Sequence, residues 1–503
     1  MRASFLLTLG FMGGFLWGFA LQGRAQNETD VLRYSWVDPL GSTRVMGMGG
    51  SFGALGADLG CLGINPAGLG MYRRGDLSVT AGLHAASTTA QWNTRQEEAT
   101  GFASTISNVG IALTYPSVDA DWPFFTVAFS HQNRMPFAQK VSVNGVPSES
   151  SLSALFVGQA LDDAAIYGYE STDDALDNGD IFAYGASLAW RSGLLVPDND
   201  ALYASSVEGP VNVQRTIDRT GRMAETQIAF ATAYQNKIYL GVTLGLPKVQ
   251  FEERSVHQET PVASGAELGQ WRFEEQLDIE GRGTLVRVGV LARLTKALRV
   301  GLAYQSRSRM TLLDTYSTTV RTSWLDGTEG AASSPISNIE YLVFTPSRLT
   351  ASASFLMGKM GVINADYVRS DMRNGELGDA NTFLSSGYEY EAENLAVDNG
   401  YQVVHAGRAG LELRVGDAKQ GRIRLGGGMT TSPFAGDAVN ANATRYHASV
   451  GAGYRVGNVH FSAAWRRAWH QEDYYFMGAF SDEAPGTLDR RASALVVGAG
   501  LRL

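Results

Sequence analysis

The chain has 503 residues, 44% hydrophobic and 18% charged, with 58 Gly, one Cys and a net charge of −9. That composition excludes wholesale disorder, a disulfide framework and any multi-cysteine zinc site, and its acidity argues against nucleic acid as a partner. A mean hydropathy of −0.10 excludes a bundle of many membrane helices, so the length means two or three soluble domains or one large closed fold.

Residues 1–25 read as a targeting segment. Arg2 is the charged start, Phe5 to Leu21 is uncharged and mostly apolar, and Gly23-Arg24-Ala25 ends the run with small residues at its outer positions. This is the layout of a secretory signal peptide cleaved after Ala25. The competing reading is an N-terminal anchor at the short edge of spanning length. Loss of Arg2 and Arg24 takes the charge from −9 to −11.

Residues 26–74 are glycine-rich, low in charge and without alternation. They are too long for a linker. They suit a hatch packed inside a wide lumen, with short helical turns around Ala54–Leu59.

From residue 75 to 503 the pattern has period two, one apolar face and one small or polar face per strand. Ile238, Leu240, Val242, Leu244 and Leu246 alternate with Tyr239, Gly241, Thr243 and Gly245. Val459, Phe461, Ala463 and Trp465 alternate with His460, Ser462, Ala464 and Arg466. Tight turns at 235–237, 295–296, 358–359 and 456–458 face longer polar connections at about 134–223, 326–336, 374–398 and 478–488. Short turns at one end and long loops at the other predict a transmembrane barrel rather than a soluble β-sandwich, which also alternates. The fold class is all-β: a 14-stranded antiparallel transmembrane β-barrel with an N-terminal hatch in its lumen. That count treats Leu268–Leu294 as one long strand, since bacterial barrels favour even numbers. Tyr234, Tyr239, Trp465, Trp469, Tyr474, Tyr475 and Phe476 suit interfacial girdles. Leu503 departs from the aromatic terminus common in such barrels.

Gly41-Ser-Thr-Arg-Val-Met-Gly-Met-Gly-Gly50, the pair Ala57-Asp58 and Asn65-Pro66-Ala67-Gly68 stand directly ahead of the first strand. Together they resemble the FadL/TodX family of outer-membrane transporters of hydrophobic compounds, most closely its Bacteroidetes branch. Gly281–Tyr304 resembles the family's central hairpin, and Phe344–Ala351 the strand entry after it. The resemblance implies fourteen strands around a hatch, passage of ligand from an outer apolar site to a deeper one, and a bend in the third strand that opens the wall sideways. That strand is Trp122–Gln132 here. It has no Gly or Pro inside Phe124–Gln132, which argues against the side opening.

Within the long connection, Leu152, Leu155, Phe156 and Leu161 share roughly one helical face of Ser148–Tyr167. Asp180–Ser192 fits a helix through Ile181, Tyr184 and Leu188, but it also alternates as a strand would. These apolar segments either pack on each other as a cap or form a groove that captures an acyl chain. Arg287, Arg299, Arg408 and Arg414, with Arg422 and Arg424, are lumen cations by alternation. They are candidates for a carboxylate, or partners of Glu412 and Asp366.

Gly49-Gly-Ser51-Phe-Gly53 matches a nucleophile-elbow pattern but has no strand before it. The seven histidines show no metal spacing, so no enzyme, cofactor or metal is expected. The expected function is passive transport of long-chain fatty acids or similar compounds across the bacterial outer membrane, by a monomeric barrel whose partners are the bilayer and its ligand. The alternative is a structural or secretion-associated barrel that binds proteins.

Overall fold

The computed structural model describes residues 27–36, 38, 40–168, 184–199, 202–416, 420–436, 438–478 and 483–503. The expected signal peptide lies outside them.

Alternating side chains fold into a closed antiparallel barrel of fourteen strands. In chain order these are β1 (Asp76–Trp92), β2 (Arg95–Pro116), β3 (Phe124–Pro136, continued by Gln139–Ser148), β4 (Val211–Tyr234), β5 (Ile238–Pro261), β6 (Leu268–Arg293) and β7 (Leu298–Gln305 with Ser308–Trp324). Then come β8 (Ser337–Thr345 with Arg348–Leu356), β9 (Gly361–Asp371 with Glu376–Asp379), β10 (Val403–Val415), β11 (Gly421–Thr430), β12 (Arg445–Val456), β13 (Val459–Tyr474) and β14 (Gly486–Arg502). Pairing of Asp76 with Arg502 closes β1 on β14. The stretch expected as one long strand is β6. Its lower half pairs with 299–305 and its upper half with 309–324.

Side-chain parity sets the two faces of the wall. On β5 Ile238, Leu240, Val242 and Leu244 are each 41% exposed, whereas Tyr239 and Thr243 between them are buried. The outer face is thus an apolar belt for lipid, and the inner face meets the N-terminal segment expected to serve as a hatch. Trp465 and Trp469 do point outward, and Trp469 stacks on Tyr446. Three of the expected girdle aromatics, Tyr239, Tyr474 and Phe476, point the other way. Tyr239 packs on the hatch beside Ala67, and Phe476 stacks on Trp92 above the lumen. Alternation fixes a face, but the level of a residue along the barrel decides what that face meets.

The hatch holds two helices, α1 (Glu28–Ser35) and α2 (Thr43–Gly47), and two 3₁₀ turns, Leu59–Gly63 and Pro66–Met71. Helical turns flank the Ala54–Leu59 region rather than filling it. Each element is started by a side-chain cap suited to the orphan N–H groups of a first turn: Asn27 to Thr29, Ser42 to Val45, Asp58 to Gly60 and Asn65 to Ala67. Glycine lets this compact body touch the wall. A methyl group on Gly241 would overlap the Pro66 backbone, and one on Gly301 the Gly53 carbonyl. Gly241→Ala should therefore loosen hatch docking by about 1–3 kcal/mol, the usual cost of overpacking. The check is faster protease cleavage within 40–74 in outer-membrane fractions, with barrel insertion unchanged.

The connection expected at 134–223 is shorter than the sequence suggested, because β3 and β4 run past the belt as paired strands to 148 and from 211. Between them lie α3 (Ser153–Tyr167), α4 (Tyr184–Arg191) and a short hairpin, Leu195–Asp198 with Leu202–Ser205. Asp180–Ser192 thus resolves in favour of helix where it is described, and the strand count stands. The two helices roof the barrel over Trp92, Val143, Trp271 and Leu488. Glu259 is buried beneath them and takes Leu152 N at 2.7 Å, Ser151 Oγ at 2.5 Å and Trp271 Nε1 at 2.9 Å, with His257 Nε2 at 2.7 Å. It satisfies the start of α3, which has no side-chain cap of its own. Glu259→Ala would strand these donors at about 1–3 kcal/mol. Extracellular protease should then cut 149–210 several-fold faster on intact cells, while the barrel stays resistant.

Candidate functional site

Asn65, Pro66, Ala67 and Gly68 form one tight turn against the wall. Asn65 is fully buried. Its Oδ1 accepts from Ala67 N at 3.1 Å, and its Nδ2 donates to Gly53 O at 2.7 Å and to Val290 O of β6 at 3.3 Å. The motif is therefore a clamp. It ties this turn to Gly53 in the middle of the hatch and to the barrel.

Two lumen carboxylates hold the rest. Asp366 on β9 accepts from Phe52 N at 2.7 Å and Gly53 N at 3.1 Å. Glu412 on β10 lies between Arg44 of the hatch and Arg424 of β11, with each guanidinium Nε at 2.8 Å. Glu412 is thus a partner of lumen arginine, one of the two roles expected from the sequence. Asp366 instead serves the hatch backbone. Within α1, Asp30 pairs with Arg33 and accepts from Tyr341 OH at 3.0 Å. Burial pushes its carboxyl above the usual range, against the pull of Arg33.

Above the hatch is a cavity of about 510 Å³. Its floor is Trp36, Asp38 and Leu40; Met135, Phe137 and Phe251 line one flank, and Arg445, Arg466 and Arg490 the other. At its base is a recess of about 30 Å³ between Arg134, Arg348 and Arg408, against Gly63 and Ile64 of the hatch. That is room for about two waters, or for the two oxygens of a carboxylate. Arg348 spends one hydrogen bond on Ser35 O at 3.0 Å, and Arg408 Nε meets no acceptor among the described residues. Arg134 reaches Glu225 only at 3.7 Å, because Arg287 already holds both oxygens of that carboxylate. Asp38 is the one carboxylate lining the recess and already holds Arg466, so the recess carries an excess of positive charge.

The wall is incomplete beside this cavity. The β2–β3 ladder stops at Asn108 and Gln132. Further up, the two backbones next come close at Gly101 and Gln139. Between those points 102–107 face 133–138 without a ladder, a gap of about 20 Å at strand rise. The upper part of β3 tilts over the lumen, where Val141 and Val143 join the cap core with Trp92. The lack of Gly and Pro inside 124–132 keeps only that part of the strand straight. The break lies just after it, where a bulge at Asn133–Met135 is followed by Pro136, which has no N–H to give a ladder. Met135 to Gln139 line both gap and cavity.

The other candidates scatter. Leu152, Phe156 and Leu188 are buried in the cap, Leu155 packs against it, and Leu161 is exposed. Ile181 and the side chain of Tyr184 lie outside the described residues. Arg287 is locked to Glu225, Arg299 sits against Met71, and Arg414 is at the turn end. Sequence reading missed Arg134 and Arg348. Arg348 lies in the quoted Phe344–Ala351 stretch, and its lumen parity was the available signal.

Ser51 is buried and takes Asn364 Nδ2 at 2.8 Å, and no histidine is hydrogen-bonded to it among the described residues. His447 donates to Gly49 O, and His84 and His131 meet threonines. No group of three His, Cys, Asp or Glu suited to a metal occurs among the described residues.

No family model and no curated protein matches the sequence. Solved structures do. A P. aeruginosa FadL homologue superposes with a TM-score of 0.54 at 12% identity, over 93% of this chain and 99% of its own. The P. putida toluene transporter TodX gives 0.52 at 13% identity, over 91% and 97%. At such identity the likeness is one of fold, and it extends over more than nine-tenths of the chain. The chain thus has the FadL/TodX fold, as its Gly41–Gly50 and Asn65–Gly68 motifs implied.

Proposed function

We propose that the chain is a passive transporter in the bacterial outer membrane for hydrophobic molecules bearing an acidic group, long-chain fatty acids foremost. The observation that carries this reading is the asymmetry of the upper cavity. It is apolar at the unpaired gap in the wall and arginine-rich at its base. Burying each methylene contributes about 0.8 kcal/mol, so an alkyl chain binds the flank of Phe137 and Phe251. The carboxylate would take the Arg134–Arg348–Arg408 recess. Leu161 and Ile166, exposed on α3, supply first contact at the cap, and movement of the hatch would admit the ligand by opening a path onward. TodX, which shares the fold, is a toluene transporter, which supports transport over catalysis. Uptake of labelled oleate with and without the gene tests this. A gene-dependent rate is expected. Equal uptake of oleate and toluene by both strains would favour a structural or protein-binding barrel instead.

A further inference from the structure

The outer surface of the barrel carries a basic band that transport does not use. Arg222 on β4, Lys248 on β5, Arg282 on β6 and Arg309 on β7 are all exposed. Parity puts them on the lipid side: Lys248 follows the exposed Leu244 and Leu246, and Arg282 precedes the exposed Val286 and Val288. Lys248 pairs directly with Arg282. Arg222 stands two residues above Ala224, the partner of Lys248, and Arg309 two residues below Thr311, the partner of Arg282. A descent of about one residue per strand is the stagger by which tilted strands close a barrel. The four cations therefore lie at one height.

That height is the upper edge of the apolar belt. Ten residues separate Lys248 from Ile238 at the tight turn. At strand rise and a tilt of about 40° they climb about 25 Å, the height of the apolar band of an outer-membrane barrel. Ten residues from their own turns, β10, β12 and β13 carry His405, Tyr446 and Trp469, with no Lys or Arg. The band is thus a property of one sector.

Nothing in the protein neutralises it. The salt bridges of this sector, Arg219–Glu253, Arg272–Glu274 and Arg307–Glu376, use none of the four, and none of the four has a carboxylate within salt-bridge distance among the described residues. Like charges directly opposite on a sheet are destabilising, so Lys248 beside Arg282 calls for an external anion. Glu252 and Glu280 are exposed on the far side of the band, away from the belt. They would repel an anion placed higher and so confine it to the level of the four cations.

We propose that this band is a docking site for the phosphates of an outer-leaflet glycolipid, whose acyl chains lie on the belt below. Arginine forks suit phosphate oxygens, and the adjoining apolar wall accepts the chains of the same molecule. Phospholipid heads of the inner leaflet lie at the tight-turn end, about 25 Å away. Arg222 pairs with Pro136 at the break in β3, so the docked lipid would border the unpaired gap.

The test uses the purified full chain in detergent and native mass spectrometry, with lipid A as probe. Dephosphorylated lipid A and phosphatidylglycerol are the comparisons. The unaltered chain should bind lipid A at least about tenfold more tightly than either. R222Q/K248Q/R282Q/R309Q should lower lipid A binding to the level of the dephosphorylated lipid. R222K/R282K/R309K keeps the charge and should stay within about threefold of the unaltered chain, which separates lost charge from lost fold. R369Q/R467Q, at exposed arginines elsewhere on the wall, should change nothing. Equal lipid A binding by the unaltered chain and the quadruple variant overturns the site, as does an equal loss in the lysine variant. Phosphatidylglycerol bound as tightly as lipid A overturns the glycolipid assignment.

Discussion

Glu412→Ala should release the hatch while the barrel stays closed. Glu412 is the one carboxylate between Arg44 and Arg424, with all three side chains at least three-quarters buried. Removing a shared partner leaves two charges without compensation in the lumen. Breaking a buried pair in this way costs about 3–5 kcal/mol, because the remaining ion keeps its desolvation penalty. The barrel does not depend on that contact, since β10 and β11 are joined by a full ladder from Ala406–Thr430 to Val415–Gly421. The loss therefore falls on the docked hatch, whose seated population should drop by a factor of about a hundred or more. Protease applied to outer-membrane fractions should cleave within 40–74, and heat-modifiable gel migration should show an intact barrel. Glu412→Gln keeps acceptor geometry for one arginine, so its effect should be intermediate. A hatch as resistant as the unaltered one would mean that Asp366 and the Asn65 clamp suffice alone.

Arg348→Gln combined with Arg408→Gln should separate acids from neutral compounds. Both side chains face the recess, and neither has a carboxylate within salt-bridge distance among the described residues. A hydrogen bond to a charged group contributes about 1.5–3 kcal/mol, and 1.4 kcal/mol is tenfold. Losing two should raise the half-saturating oleate concentration by at least about tenfold. Toluene has no carboxylate to place, so its uptake should change little. Oleate uptake that holds in this variant would move the head-group site elsewhere in the cavity. Arg445 stacks on Trp36 at 4.0 Å and would be the next arginine to replace.

Most of the barrel is legible in the amino-acid sequence, for a simple reason. A wall one residue thick between lipid and lumen forces period two on every strand, and β5 shows it without a break from Ile238 to Leu246. Tight turns fixed the pairing of neighbours, and the even-number rule kept β6 whole. The hatch motifs were also local. Ser42, Asp58 and Asn65 each start a turn through a bond to a residue two or three positions on, so their role is written in adjacent sequence.

What escaped the sequence was long-range. The break in β3 depends on which strand pairs with which above Gln132, and Pro136 reads as a strand end until that is known. Tyr239 and Phe476 carry the composition of a girdle but lie at levels occupied by hatch and cap. The recess joins Arg134, Arg348 and Arg408 from three strands that are far apart in the chain, and alternation gave only the side each faces. Which arginine stays uncompensated was decided by competition for carboxylates: Arg287 took Glu225, and Arg44 and Arg424 took Glu412. The glycine excess shows the same division. Composition and period placed glycine in a hatch and on a lumen face. Only the packed molecule shows that Gly241 and Gly301 are there because hatch backbone touches the wall at those points, leaving no room for a single carbon.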